Sequence, residues 1–327
     1  MNATFPLRYA AWLLLPLLWL AGGCGFVRNK LKAPASQLVL APETVVIPFV
    51  WNGDTVNRTY YPEAVLLLPV TLPGCPKVFY MQLDFGVQTS RFYQQRLVFI
   101  DQRYHNIPLR PRPGAAPKMQ LANYDFHVGP LPVHSLDIRL SAFGTDSIAW
   151  ADPTARQTIG TLGSDFIDGR VAIIDYPRQR LILTSAVPDS LAARAGMRPF
   201  RYENRRVLLP VVVRGQATHV FFDTGSSTYD LLTNNGLRRR YARKKAPTSA
   251  YKVGSWGHQL KAIDVRSTDT LYVAGRGLPM QRISSVAGFQ FSFLPKVLHV
   301  AGITGNRPFL GCQLILDTRR QQFGLLR

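Results

Sequence analysis

Acidic residues are scarce in this chain of 327: 19 Asp and Glu stand against 39 Lys and Arg, a formal charge of +20 at pH 7. Such a surface attracts anionic partners, whether acidic lipids, phosphorylated glycolipids or acidic polypeptides. No recognised nucleic-acid motif accompanies the charge, so nucleic acid is not expected among the partners. Cysteine is scarcer still, with three, and their spacing suggests neither metal ligation nor a redox pair. The six histidines are scattered without metal spacing. The chain also lacks a zinc motif, a nucleophile elbow and a phosphate loop, so no metal and no cofactor is expected. Disorder and collagen-like repeats are excluded as well. With 46% hydrophobic residues and frequent Gly and Pro, the composition is that of a turn-rich globular protein long enough for two domains.

Near the start, an apolar run from Ala10 to Leu20 follows the basic Arg8 and ends in Ala21-Gly22-Gly23-Cys24. It is well short of the ~20 apolar residues a spanning helix needs, so residues 1–23 read as a cleaved export signal. Cys24 after two glycines resembles the lipid-modified cysteine of bacterial lipoproteins, with Ala21 where that pattern usually has Leu. The resemblance implies that Cys24 begins the mature chain and carries acyl groups. These would hold it to a membrane face without a spanning helix. Ordinary cleavage, leaving a soluble envelope protein, is the alternative. Gly25 is not the aspartate that favours inner-membrane retention, so the outer membrane is the expected location. Residues 24–43 read as the tether, and Cys75 and Cys312 as structural thiols or one optional bridge.

The body says nearly the same thing twice. Val65-Leu66-Leu67-Leu68-Pro69-Val70 leads to Phe79-Tyr80-Met81-Gln82-Leu83-Asp84-Phe85-Gly86. Val207-Leu208-Leu209-Pro210-Val211-Val212 leads to Val220-Phe221-Phe222-Asp223-Thr224-Gly225. Each half then closes on a matching segment, Asp175 to Leu183 in the first and Asp317 to Leu325 in the second. The halves span 44–187 and 206–327, with a linker over 188–205.

Strands dominate the expected structure, as in Val45 to Trp51 ending at Asn52-Gly53. Hairpins are expected at Gly129-Pro130 and around Gly254-Ser255-Trp256-Gly257. A short helix is expected from Asp189 to Ala195, stopped by Gly196, and another after Ser164. The densest basic run, Arg238 to Lys245, reads as a solvated loop or helix face, with a dedicated anion site as the alternative.

Phe221-Phe222-Asp223-Thr224-Gly225-Ser226-Ser227 matches the apolar-apolar-Asp-Thr-Gly-Ser pattern of pepsin-like aspartic proteases, which the chain resembles over about residues 44 to 327. The resemblance implies a mostly β, two-lobed fold of closed or semi-open barrels with a central cleft. It also implies a polypeptide substrate or ligand, and a monomer because one chain supplies both half-sites. Asp84 and Asp223 are the implied catalytic pair, with Gly86, Thr224, Gly225 and Ser226 shaping their turns and Tyr124 as the flap tyrosine. The family's second motif, two apolar residues and a glycine, is matched by Thr161-Leu162-Gly163 and by Phe309-Leu310-Gly311.

Chemistry explains these residue types without the name. Two carboxyls held together cannot both ionise easily, so one keeps its proton while the other takes a proton from a water. Glycine after each Asp lets a tight turn bring backbone N–H groups to the carboxylate. The first half departs from the pattern: Phe85 replaces the locking threonine and Val87 the orienting hydroxyl. Two readings follow, an aspartic endopeptidase of the cell envelope or a non-catalytic binding or assembly protein on the same scaffold. Asp-Phe-Gly also occurs in protein kinases, but no glycine-rich loop, strand lysine or catalytic-loop motif accompanies it.

Overall fold

Segments rich in β-branched and aromatic residues form strands through most of the chain, and the protein is mostly β. The computed structural model describes residues 32–112, 119–142, 147–152, 154–255, 258–286 and 298–327. The expected signal, Cys24, the tether up to residue 31 and the Trp256-Gly257 turn lie outside the described residues. Among the described residues no helix is long and apolar enough to cross a membrane. Residues Ser36–Arg327 form one compact unit.

The duplication reappears as matching strand neighbourhoods. In the first half Phe79–Leu83 lies between Thr59–Thr71, antiparallel, and Thr158–Leu162, parallel. In the second, Gln216–Phe222 lies between Arg206–Val213, antiparallel, and Gly302–Thr304, parallel. These strands centre a 9-stranded and a 10-stranded sheet. No sheet is a closed barrel, which corrects the closed-barrel expectation. In the first sheet the seam between Thr59–Thr71 and Met119–Val128 is only two pairs wide, Val70 with Val128 and Thr71 with His127, too short a ladder to seal the curl.

A third, 6-stranded sheet takes strands from both halves. The repeated closing segments are two hairpins, Val171–Asp175 with Arg180–Thr184 and Gln313–Asp317 with Gln322–Leu326. Each turns through a glutamine with positive φ, Gln179 at 48° and Gln321 at 52°. They meet antiparallel with Ile173 opposite Ile315, Val171 opposite Asp317 and Asp175 opposite Gln313. Exchanging the two copies reproduces that register, so the seam carries a local two-fold.

The Gly129-Pro130 hairpin forms as expected between Met119–Val128 and Leu131–Ser141. Asp189–Ala195 is helical and ends at Gly196, whose φ is 58°. Asn52-Gly53, read as a strand end, instead lies inside Val50–Val56 at a bulge opposite Thr59–Thr71. The turn comes at Asn57 and Arg58, both with positive φ, and the missing side chain at Gly53 makes room for the Tyr60 ring. The helix Gln94–Tyr104 was not anticipated. Tyr93 offers no side-chain cap and the left-handed C-cap is His105, so neither end carries the usual signal.

Beneath the two aspartate turns the core is aromatic. Phe85 meets Phe222 edge-on at 6.0 Å, and Phe222 meets Phe309 at 5.2 Å. Cys75 and Cys312 are buried free thiols.

Candidate active site

Each aspartate sits where a central strand leaves its sheet, and each is tied to the neighbouring parallel strand. The Asp84 N–H donates to Leu162 O and the Asp223 N–H to Thr304 O, both at 2.9 Å. Each carboxyl then closes its own turn: Gly86 N–H donates to Asp84 Oδ1 at 2.9 Å, and Gly225 N–H to Asp223 Oδ1 at 2.8 Å. The turns face each other. A Cβ built at Gly86 would lie 2.6 Å from Asp223 Oδ1, and one at Gly225 would lie 2.5 Å from Asp84 Oδ1. Neither turn could carry a side chain there without displacing the opposite carboxyl. The two carboxyls thus lie side by side across the facing turns and are nearly buried, at 7% and 9% exposure.

Thr224 locks the turns together. Its buried hydroxyl accepts from the Phe85 N–H at 2.9 Å and donates to Leu83 O at 2.8 Å. Phe85 therefore does not leave Thr224 unpaired, because both of its partners are backbone groups that any residue but proline would keep at position 85. The Phe85 side chain is buried and supplies apolar packing where the reciprocal hydroxyl would be. Ser226 Oγ donates to Asp223 Oδ2 at 2.8 Å, and at the matching position Val87 has no hydroxyl to offer Asp84.

Residues just past the parallel strands hold the turn carbonyls in the same symmetric way. Ser164 Oγ donates to Phe85 O at 3.2 Å, and Asn306 Nδ2 to Thr224 O at 3.0 Å. Asn306 is fully buried, and its side-chain oxygen accepts from Tyr176 Oη at 2.6 Å. These residues correct one sequence match. The partner of Gly160-Thr161-Leu162-Gly163-Ser164 is Gly302-Ile303-Thr304-Gly305-Asn306, not Phe309-Leu310-Gly311. A Cβ at Gly163 would meet Thr89 C at 2.8 Å, and one at Gly305 would run into Ser226 O, whereas one at Gly311 would meet nothing within 4 Å. The Gly-x-x-Gly spacing common to both strands was the signal available in the sequence.

Tyr124 does not belong to this constellation. It is a buried core residue stacked on Phe126 at 6.5 Å. Burial, then the neighbouring Cys75 and Asp101, raises its pKa, and neither aspartate of the pair is among those neighbours.

What does reach across is the hairpin of Val50–Val56 and Thr59–Thr71. Ser227 Oγ donates to Glu63 O at 2.8 Å, and the Asn57 amide donates to Ser249 Oγ at 2.9 Å. Tyr61 lies under Arg282 and Arg307, 5.0 and 5.3 Å from its ring. Between this hairpin and the second half is a cavity of about 170 Å³ that borders Gly225 and Ser226. Val56, Val65, Leu232, Val253 and Val286 give it apolar walls.

Neither models of known protein families nor curated proteins match the chain. The geometry of the two turns must carry the functional argument.

Electrostatics acts strongly on Asp84. Burial first, then the charge of Asp223 and the hydrogen bond to it, raise the Asp84 pKa well above the ordinary carboxylate value, against smaller opposing effects of Gly86 N–H and Arg91. This surrounding favours the protonated form of Asp84. No group of His, Cys, Asp and Glu suited to a metal occurs among the described residues.

A raised folded-state pKa gives an unusual slope. Asp84 contributes its full stability below the unfolded value of about 3.9 and loses it as pH climbs toward the folded value. Wild type is therefore expected to lose melting temperature relative to Asp84→Asn as pH rises from about 4 to 7. Parallel curves for the two proteins would contradict the assignment.

Proposed function

We propose that the protein is an aspartic endopeptidase of the pepsin-like, two-lobed kind, working on polypeptides with Asp84, Asp223 and a water molecule. One observation carries the reading: each turn glycine lies against the opposite carboxyl, so the backbone is shaped to bring two acids together. Burying two such groups together costs stability, and a chain with only a structural need could satisfy both turns without it.

The chemistry follows from the donors. A water held between the carboxyls loses a proton to Asp223, whose two oxygens accept from Gly225 N–H and Ser226 Oγ. Its oxygen bonds to the scissile carbonyl carbon while Asp84 gives its proton to the carbonyl oxygen. The resulting diol returns a proton to a carboxyl, the amide nitrogen takes one, and the C–N bond breaks to an acid and an amine. Both carboxyls recover their starting states, and one water is consumed. The apolar cavity beside Gly225 is sized for a single aliphatic or aromatic side chain of the substrate.

The competing reading, a binding protein on the same scaffold, is motivated by Val87, which leaves Asp84 without the hydroxyl that Asp223 has. Val87→Ser separates the two. It is expected to raise kcat/KM for an unfolded protein substrate severalfold by orienting Asp84, on the order of one hydrogen bond's worth of positioning. Peptide binding without cleavage in both wild type and Val87→Ser would favour the binding protein.

A further inference from the structure

The basic run that the catalytic reading leaves unused is not simply a solvated face. Arg238, Arg239 and Arg240 lie in the last turn of the helix Asn235–Tyr241, and Arg243, Lys244 and Lys245 lie in the loop behind it. That loop is folded back by backbone hydrogen bonds, Ala242 N–H to Arg238 O, Arg243 N–H to Arg266 O and Ala246 N–H to Arg243 O, at 3.0, 3.0 and 3.1 Å. The result is a concavity of about 570 Å³ into which all six cations and Arg214 are gathered.

Nearby acids offset little of this charge, for among the described residues Arg214 is the one ion-paired cation of the group. Asp269 is engaged by Arg214 at 2.8 Å and Asp264 by Arg282 at 3.0 Å. Among the described residues no carboxylate forms an ion pair with Arg238, Arg239, Arg240, Arg243, Lys244 or Lys245. Arg238 decides the matter. It is only 7% exposed, and its Nε is buried without a hydrogen-bond partner. A cation on a merely solvated face would keep its donors in water, since burying an unpaired one is costly.

We infer that this concavity is a binding site for a compact, phosphate-bearing polyanion, with the buried Arg238 among its lining residues and the exposed arginines and lysines at its rim. Guanidinium forks match phosphate oxygens in pairs, and a recessed ring of cations suits an anion that enters it better than a flat surface. Both a soluble polyphosphate and a phosphorylated lipid headgroup offer that chemistry. The inference stands apart from the peptidase reading, for it uses none of the same side chains.

Calorimetric titration of the full chain with inorganic tripolyphosphate tests it. Saturable single-site binding is expected, weakening as salt rises. Arg238→Met is expected to lose about tenfold in affinity, and Lys244→Gln with Lys245→Gln, which touches only exposed side chains, about fivefold. The charge-matched control Arg319→Gln with Arg320→Gln should bind as wild type does. Absence of saturable binding by wild type, or an equal loss in the control and the rim variant, overturns the site. Competition by vesicles of phosphatidylglycerol and phosphatidylcholine distinguishes the sources: displacement of tripolyphosphate assigns the site to a headgroup, and none assigns it to a soluble anion.

Discussion

Asp223→Asn is expected to cut peptide hydrolysis on the order of 10⁴-fold, nearly all of it in kcat, because an amide cannot take the proton of the attacking water. Asp84→Asn should cost about as much, since an amide cannot hand a proton to the carbonyl oxygen. The double variant should be hardly worse than either single one, because the carboxyls act as a unit and the second loss removes nothing that still functions. Product formation from an unfolded protein substrate, followed by chromatography at saturating and limiting concentrations, separates kcat from KM. Equal activity of wild type and both single variants would remove the pair from the chemistry.

Gly225→Ala is expected to have the next largest effect. Its Cβ would stand 2.5 Å from Asp84 Oδ1 and 2.6 Å from Oδ2, closer than carbon and oxygen tolerate, so the carboxyl or the turn has to move. A shift on the order of 1 Å costs about 10²-fold in rate, and the overpacking costs about 1–3 kcal/mol of stability. Gly86→Ala should behave alike through Asp223, whose oxygens lie 2.6 and 2.7 Å from the same hypothetical carbon. Gly311→Ala is the control: with nothing within 4 Å, it should stay within about 0.5 kcal/mol of wild type. Kinetics and melting curves for the three variants check the set, and a tolerant Gly225→Ala would mean that the turns stand further apart than described.

What the sequence made legible, and what it hid, divides along a physical line. The two Asp-x-Gly turns, the matching strands before them and the closing hairpins could be read because each depends on local residue type: β-branched runs, a glycine that permits close approach, a polar turn. The β-rich architecture follows from the same signals. The second-half partner of Gly160 to Ser164 is hidden because Phe309-Leu310-Gly311 shows the apolar-apolar-Gly pattern, whereas the partner, Ile303-Thr304-Gly305, breaks it with a threonine. The parallel pairing of Gly302–Thr304 with Gln216–Phe222 identifies the copy, and pairing is not local; its local trace is the Gly-x-x-Gly spacing alone. Tyr124 fails for a related reason. Alternation places it on one face of a strand, but whether that face meets the core or the aspartates depends on how the sheet curls. Phe85 looked like damage to the lock because a side-chain hydroxyl had been lost. The lock instead uses the Phe85 backbone N–H, which no residue type reveals. Arg238 is hidden in a run of like charges, and its burial depends on a loop that folds back over the helix.

The account stands or falls on peptide-bond hydrolysis by the two carboxyls, and the most direct measurement is mass spectrometry of an unfolded polypeptide incubated with the protein in H₂¹⁸O between about pH 3 and 7. The account predicts new carboxyl ends that have gained a single solvent oxygen each with wild type, and none above background with Asp84→Asn or Asp223→Asn. A wild-type protein inert at every pH, or cleavage that continues unchanged in both variants, would contradict it.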